Sequence, residues 1–168
     1  MRKYLPAAAD LIVYKVTGAL IAFAILMLAL AGGLTMLPMP VVIIMYSLAG
    51  ATAIILSIGW LIRPSRYEVG NNKITIARTW PFPPITIRLS DIKDVRHLTL
   101  ESLKPASLAL PWIFGYSGRF KSNELGDLFI SATGIKEVVL VETNDGKFIL
   151  SPSNPKRFVK HVHDAIGR

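Results

Sequence analysis

The chain has 168 residues, no cysteine, a formal net charge of +8 and a mean hydropathy of +0.46, with 52% hydrophobic and only 18% charged residues. Soluble domains run nearer a quarter charged, so the apolar surplus must be concentrated somewhere. It lies between Val16 and Ile62, 47 consecutive residues without Asp, Glu, Lys, Arg or His, which excludes a simple soluble globule. The missing cysteine excludes disulfides, thiolate metal sites and thiol catalysis together.

Met1-Arg2-Lys3 opens the chain as a basic flank, and Pro6 suits the first turn of a helix that enters the membrane after running along its surface. The basic start and the small residues at Ala29 and Ala31 resemble a signal peptide. The apolar stretch is too long for one and starts too late. Forty-seven residues are roughly twice what a helix needs to cross a bilayer. Pro38 and Pro40 fall in the middle and cannot both sit inside a regular helix. Two spans are therefore expected, about 16–36 and 41–62, in a hairpin unit covering 1–65.

Arg2, Lys3 and Lys15 flank the first span, and Arg63, Arg66, Lys73 and Arg78 follow the second, while the connecting turn is uncharged. That bias predicts a two-span cell-membrane protein with both termini cytoplasmic, and Tyr14 and Trp60 anchoring the same interface. No ionisable residue lies between Val16 and Ile62 to mark an ion route. Thr17, Thr35, Ser47, Thr52 and Ser57 are expected to bond back to their own helix carbonyls. Small residues at four-residue spacing (Gly18 and Ala22, Ala29 and Gly33, Ser47 and Ala51, Ala49 and Ala53) allow close helix packing, within the hairpin or against another protein.

After Arg63-Pro64-Ser65 the pattern changes to short strands. Tyr67–Gly70 and Lys73–Thr79 read as a hairpin around Asn71-Asn72, followed by strands at 85–89 and 95–100. Strands at 128–132 and 136–143 come next, and Asn144-Asp145-Gly146 turns the chain into Lys147–Leu150. Asn154 and Pro155 then start a helix with Phe158, Val159, Val162, Ala165 and Ile166 on one face. Six or seven antiparallel strands closed by one C-terminal helix are expected over 66–168.

Several short stretches carry a family resemblance: Tyr67-Glu68-Val69, Ile87-Arg88-Leu89-Ser90-Asp91-Ile92, the glycine-rich Phe114–Phe120 with Leu125-Gly126, and Phe148–Pro152 with Pro155 and Phe158. In that order they resemble the prokaryotic PH-domain membrane proteins, in which a helical hairpin precedes a pleckstrin-homology-like domain. The resemblance implies an α+β membrane protein: a transmembrane hairpin, then a PH-like antiparallel β-barrel or sandwich capped by the C-terminal helix. It implies a binding scaffold and says little about what is bound.

Sites for chemistry are hard to find. Asp91, Asp94 and Glu101 lack a convergent partner, and His161 and His163 are two apart on a helix and point away from each other. His97 is solitary, and Gly115-Tyr116-Ser117-Gly118 lacks the spacing of a nucleophile elbow. No phosphate-binding loop, dinucleotide fingerprint or nucleic-acid motif occurs. No cofactor, metal, nucleic-acid partner or small-molecule substrate is expected. The domain carries fifteen Lys and Arg against ten Asp and Glu, a modest attraction for anionic headgroups. Arg63, Arg66, Lys73 and Arg78 are the candidate headgroup contacts.

Leu98–Phe120 reads as a long apolar loop without a clear element, either covering the open end of the barrel or meeting a partner. Trp112, Ile113, Phe114 and Tyr116 are its candidate interface residues. The sequence thus points to a non-catalytic, membrane-anchored binding or assembly module, joining copies of itself or another membrane protein. The alternatives are an anionic-lipid sensor and an accessory subunit of a transporter or membrane enzyme.

Overall fold

The computed structural model describes residues 2–33, 37–99, 104–105, 110–111, 113–122 and 125–167. Strand β1 (Arg2–Tyr4) precedes the helices α1 (Leu11–Gly33) and α2 (Met39–Ile62). Both helices are long and apolar enough to cross a membrane, and little of either is covered by the rest of the chain. Pro38 stands before α2 and Pro40 within its first turn, where the missing donors cost nothing, so the two prolines shape a start as well as a stop. The first helix begins at Leu11 instead of near Pro6, because the residues before it are already committed to a sheet.

That commitment is the main departure from the expected layout. Residues Arg2, Lys3 and Tyr4 pair antiparallel with Val69, Glu68 and Tyr67 of β2 (Pro64–Gly70). The Ala7 N–H then donates to the Ser151 carbonyl at 2.7 Å, and the Thr133 hydroxyl donates to the Ala7 carbonyl at 2.6 Å. The segment from Pro6, expected to start the first helix, is instead bound to the domain, and the residues before it form an edge strand of the first sheet.

Strands β2 and β3 (Lys73–Arg78) form the anticipated hairpin. Asn71 and Asn72 sit at φ 50° and 58°, the left-handed pair that suits a right-twisted two-residue turn. With β4 (Ile85–Arg88) they complete a four-stranded sheet in the order β1-β2-β3-β4. A short 3-10 turn, Leu89–Asp91, leads to the second sheet.

This second sheet holds β5 (Ile92–Leu98), β6 (Lys104–Pro105), β7 (Leu110–Pro111), β8 (Tyr116–Ser122), β9 (Gly126–Ala132), β10 (Val138–Thr143) and β11 (Lys147–Leu150). Its order is β5-β10-β11-β9-β8-β6, with β7 also against β8. One pair departs from the all-antiparallel expectation: β11 folds back from its hairpin with β10 to lie parallel to β9. The two sheets remain separate among the described residues, so the fold is a sandwich without barrel closure.

Val138, Val139, Leu140 and Val141 are all fully buried, which explains a continuous apolar run where alternation is usual. Val139 and Val141 face one core, with Tyr67, Ile74, Ile76 and Val95. Val138 and Leu140 face another, with Tyr116, Phe120, Ile130 and Val13 of α1. Helix α3 (Pro155–Ile166) lays Phe158 and Val162 into the first core. Its Asn154 cap accepts the Arg157 N–H at 3.1 Å, and Gly167 at φ 73° ends it.

The expected back-bonds hold for Ser47, Thr52 and Ser57, each donating at 2.8 Å to the carbonyl four residues earlier. Thr35 lies outside the described residues. Thr17 has a different task, set by the domain.

Candidate functional site: the junction between hairpin and domain

Two turns of chain meet where α2 runs into β2. Gly59 and Trp60 belong to the last turn of α2, Arg63 follows it, and Pro64 begins the sheet. Against this corner the segment 113–115 folds back. A Cβ added to Gly59 would stand 2.6 Å from the Ile113 Cγ2, so glycine at 59 is what lets Ile113 seat on the helix. The Phe114 ring meets the Trp60 ring edge-on at 5.6 Å between centroids. Its N–H donates to the Thr17 hydroxyl of α1 at 3.3 Å.

Phe114 holds φ 56°, unusual for an aromatic residue, and these contacts on both helices hold it there. Gly115 follows at φ 144° with the Ala132 carbonyl only 2.6 Å from where a Cβ would be. No other residue fits that passage.

The sequence grouped Trp112, Ile113, Phe114 and Tyr116 as one interface. The structure separates them. Ile113 and Phe114 bind the chain's own hairpin, while Tyr116 begins β8 with its ring 1% exposed in the second core. Tyr116 is therefore corrected from a surface contact to a core residue. Its hydroxyl donates to the Asp10 carboxylate at 3.4 Å, and burial beside that carboxylate pushes the phenol above its ordinary range. Trp112 lies outside the described residues. The stretch expected to lack regular structure includes β8, which pairs with β9 along its whole length.

The four candidate headgroup contacts divide as well. Arg66 is engaged with Glu68 at 2.7 Å. Lys73 sits at the turn end of the β2–β3 hairpin, opposite Gly70, roughly 20 Å of strand away from Pro64. Arg63 and Arg78 come together, because Arg78 is the β3 partner of Pro64.

Both arginines line a cleft of about 240 Å³, walled by Gly59, Ile62, Ile113 and Phe129 and floored by the start of β8. Arg63 is held with its guanidinium 3.5 Å from the Trp60 ring centroid. The buried Nε of Arg78 has no hydrogen-bond partner among the described residues. Burial pulls both guanidiniums down from the ordinary arginine value. Arginine nonetheless stays charged at neutral pH. A second, larger cleft of about 620 Å³ lies between the N-terminal arm, α1 and Trp60, with Arg63 and Pro64 shared by the two.

Trp80, which the sequence did not single out, is 86% exposed in the loop Thr79–Pro84. This loop leaves β3 right after Arg78, beside the end of α2. The only signal for it was the run Trp80-Pro81-Phe82-Pro83-Pro84, which reads as a plain turn.

Among the described residues, the other candidates for chemistry stand apart from one another. Ser90 donates to the Asp91 carboxylate at 2.9 Å, and Asp94 is 3.8 Å from Arg96. His163 bonds the Val95 carbonyl at 3.1 Å, and Glu101 lies outside the described residues. No cluster of three metal-ligating side chains occurs among the described residues.

A family model described as "Bacterial PH domain" matches residues 65–166. No curated protein and no solved structure matches the chain significantly. The matched residues cover both strands at the junction, the second sheet and the capping helix. With two long apolar helices preceding a two-sheet sandwich and its C-terminal helix, the chain belongs to the bacterial PH domain family.

Proposed function

We propose that the protein is a membrane-anchored, non-catalytic PH module that assembles with copies of itself or with another membrane protein at the cytoplasmic face. The observation that carries this reading is the clamp of Ile113 and Phe114 on the hairpin, which ties the domain to its helices and leaves their outer faces free. Gly18, Ala22, Ala29 and Gly33 remain exposed on α1, while Ala31, Ala49 and Thr52 are buried. Some small residues therefore pack the hairpin and others stay open to a neighbour. The basic residues Arg2, Lys3, Lys15, Arg63 and Arg66 favour the cytoplasmic side for both ends.

Crosslinking in native membranes, followed by native mass spectrometry of the extracted full chain, tests the reading. A higher-order species or a reproducible membrane-protein companion is expected. A strictly monomeric chain with no companion overturns it.

A further inference from the structure

We infer that the cleft between Arg63 and Arg78 is a binding site for the phosphate of an anionic phospholipid in the leaflet around the hairpin. The inference needs α1 and α2 to lie in a bilayer. It does not need the protein to assemble.

Four observations carry it. Arg63 is the first residue after the apolar helix α2, the depth at which lipid phosphates lie. The register Pro64↔Arg78 brings a second guanidinium, from the facing strand and 15 residues after Arg63 in the sequence, to the same cleft. No acidic residue lines that cleft, and neither arginine has a carboxylate within 4 Å among the described residues. The Arg78 Nε is buried and has no hydrogen-bond partner among the described residues, whereas buried donors are nearly always satisfied.

An oxyanion in the cleft completes this set. Guanidinium forks match phosphate oxygens two at a time. The apolar wall of Gly59, Ile62, Ile113 and Phe129 suits the glycerol and first acyl carbons beneath the phosphate. A soluble phosphate has no use for that wall, which favours a lipid as the source. The exposed Trp80 stands in the loop following Arg78, where an amphipathic ring sits well at the headgroup level. The β2–β3 turn, with Lys73, is at the other end of the sheet and takes no part.

Native mass spectrometry of the full chain, titrated in detergent with phosphatidylglycerol or phosphatidylcholine, reads the site directly. The wild type is expected to retain phosphatidylglycerol at least about tenfold more tightly than phosphatidylcholine. R78Q and R63Q should each weaken phosphatidylglycerol at least about tenfold, the loss of a charge-assisted contact, with K73Q unchanged. R78K, which keeps charge and loses the fork, should fall between. Thermal melting of each variant accompanies the titration, and R63Q, on the rim, carries the test if R78Q does not fold.

Equal retention of both lipids overturns the proposal, and so does a loss in K73Q as large as in R78Q. An added arm uses glycerol phosphate as competitor: displacement of the lipid at equal concentration would assign the site to soluble phosphates and overturn the lipid source. Lipid adducts are counted per protomer, so the result stands apart from whether the protein proves oligomeric.

Discussion

Replacing Gly59 with alanine tests whether the domain is locked to its hairpin. The added methyl would lie 2.6 Å from the Ile113 Cγ2, 3.3 Å from its Cβ and 3.4 Å from its carbonyl oxygen. Carbon atoms pack at about 3.5–4.0 Å, so the two surfaces must part by roughly 1 Å. Turning the Ile113 side chain does not clear the clash, because its Cβ and backbone are close as well. Overpacking of this kind costs about 1–3 kcal/mol. The gain in helix propensity from alanine acts equally whether the domain is docked or not, so it does not offset the cost to docking. Undocking should rise roughly 5- to 150-fold.

Hydrogen exchange of the full chain in nanodiscs reads this at 113–118, where the Phe114 N–H now rests on the Thr17 hydroxyl. Faster exchange there is expected, with the β10 and β11 amides unchanged. The double variant Gly59→Ala with Ile113→Ala should restore protection in part, since the clashing methyl is gone. Unchanged exchange in the single variant, or no recovery in the double, refutes the clamp.

Tyr67→Phe removes the hydroxyl that donates to the Ser131 carbonyl at 2.8 Å and accepts the Ser151 N–H at 3.3 Å inside the core. Orphaning buried partners should cost about 1–3 kcal/mol, visible as a lower Tm, and an unchanged Tm would refute the role. In alkali, Tyr67 should resist ionisation, since burial pushes its phenol up to about 12 from 10. The folded state holds that proton more tightly than the unfolded one, so the associated stability is intact below pH 10 and is lost between pH 10 and 12. The loss is of order 3 kcal/mol. Spectrophotometric titration should show a late ionisation step that Tyr67→Phe and Tyr116→Phe each reduce, and a titration curve unchanged by either substitution would contradict their burial. Finally, with Trp60 and Trp112 replaced by phenylalanine, Trp80 fluorescence should be quenched by lipids brominated near the headgroup. Full emission in their presence would place the loop away from the bilayer.

What the sequence made legible was local. The uncharged run from Val16 to Ile62 and its two prolines marked both helices, and Asn71-Asn72 and Asn154-Pro155 marked a turn and a helix start, because each signal is complete within a few residues. The Arg2–Tyr4 strand was not legible. Three residues cannot show a strand period, and its partner lies more than sixty positions away. Strand β8 was hidden for a different reason: Tyr116 and Phe120 are its core residues, but Gly118 leaves the inward-facing position between them without a side chain, and the apolar stretch before it drew attention away. The basic residues after α2 were visible as a group. Only the pairing of Pro64 with Arg78 separates the two that share a cleft from Arg66, spent on Glu68, and Lys73, at the far turn.

The pairing of β1 with β2 also bears on how the chain is made. Residues 2–4 are synthesised before 67–69, with both helices in between. With α1 and α2 in a bilayer, that ladder closes only when both have crossed and the two ends have returned to one side. A chain with one helix left uninserted would strand Tyr4 across the membrane from Phe158, whose ring it meets edge-on at 5.1 Å, and would leave a hole in the first core. In a bilayer, the short strand would therefore complete the sandwich only over a hairpin with both ends on one side.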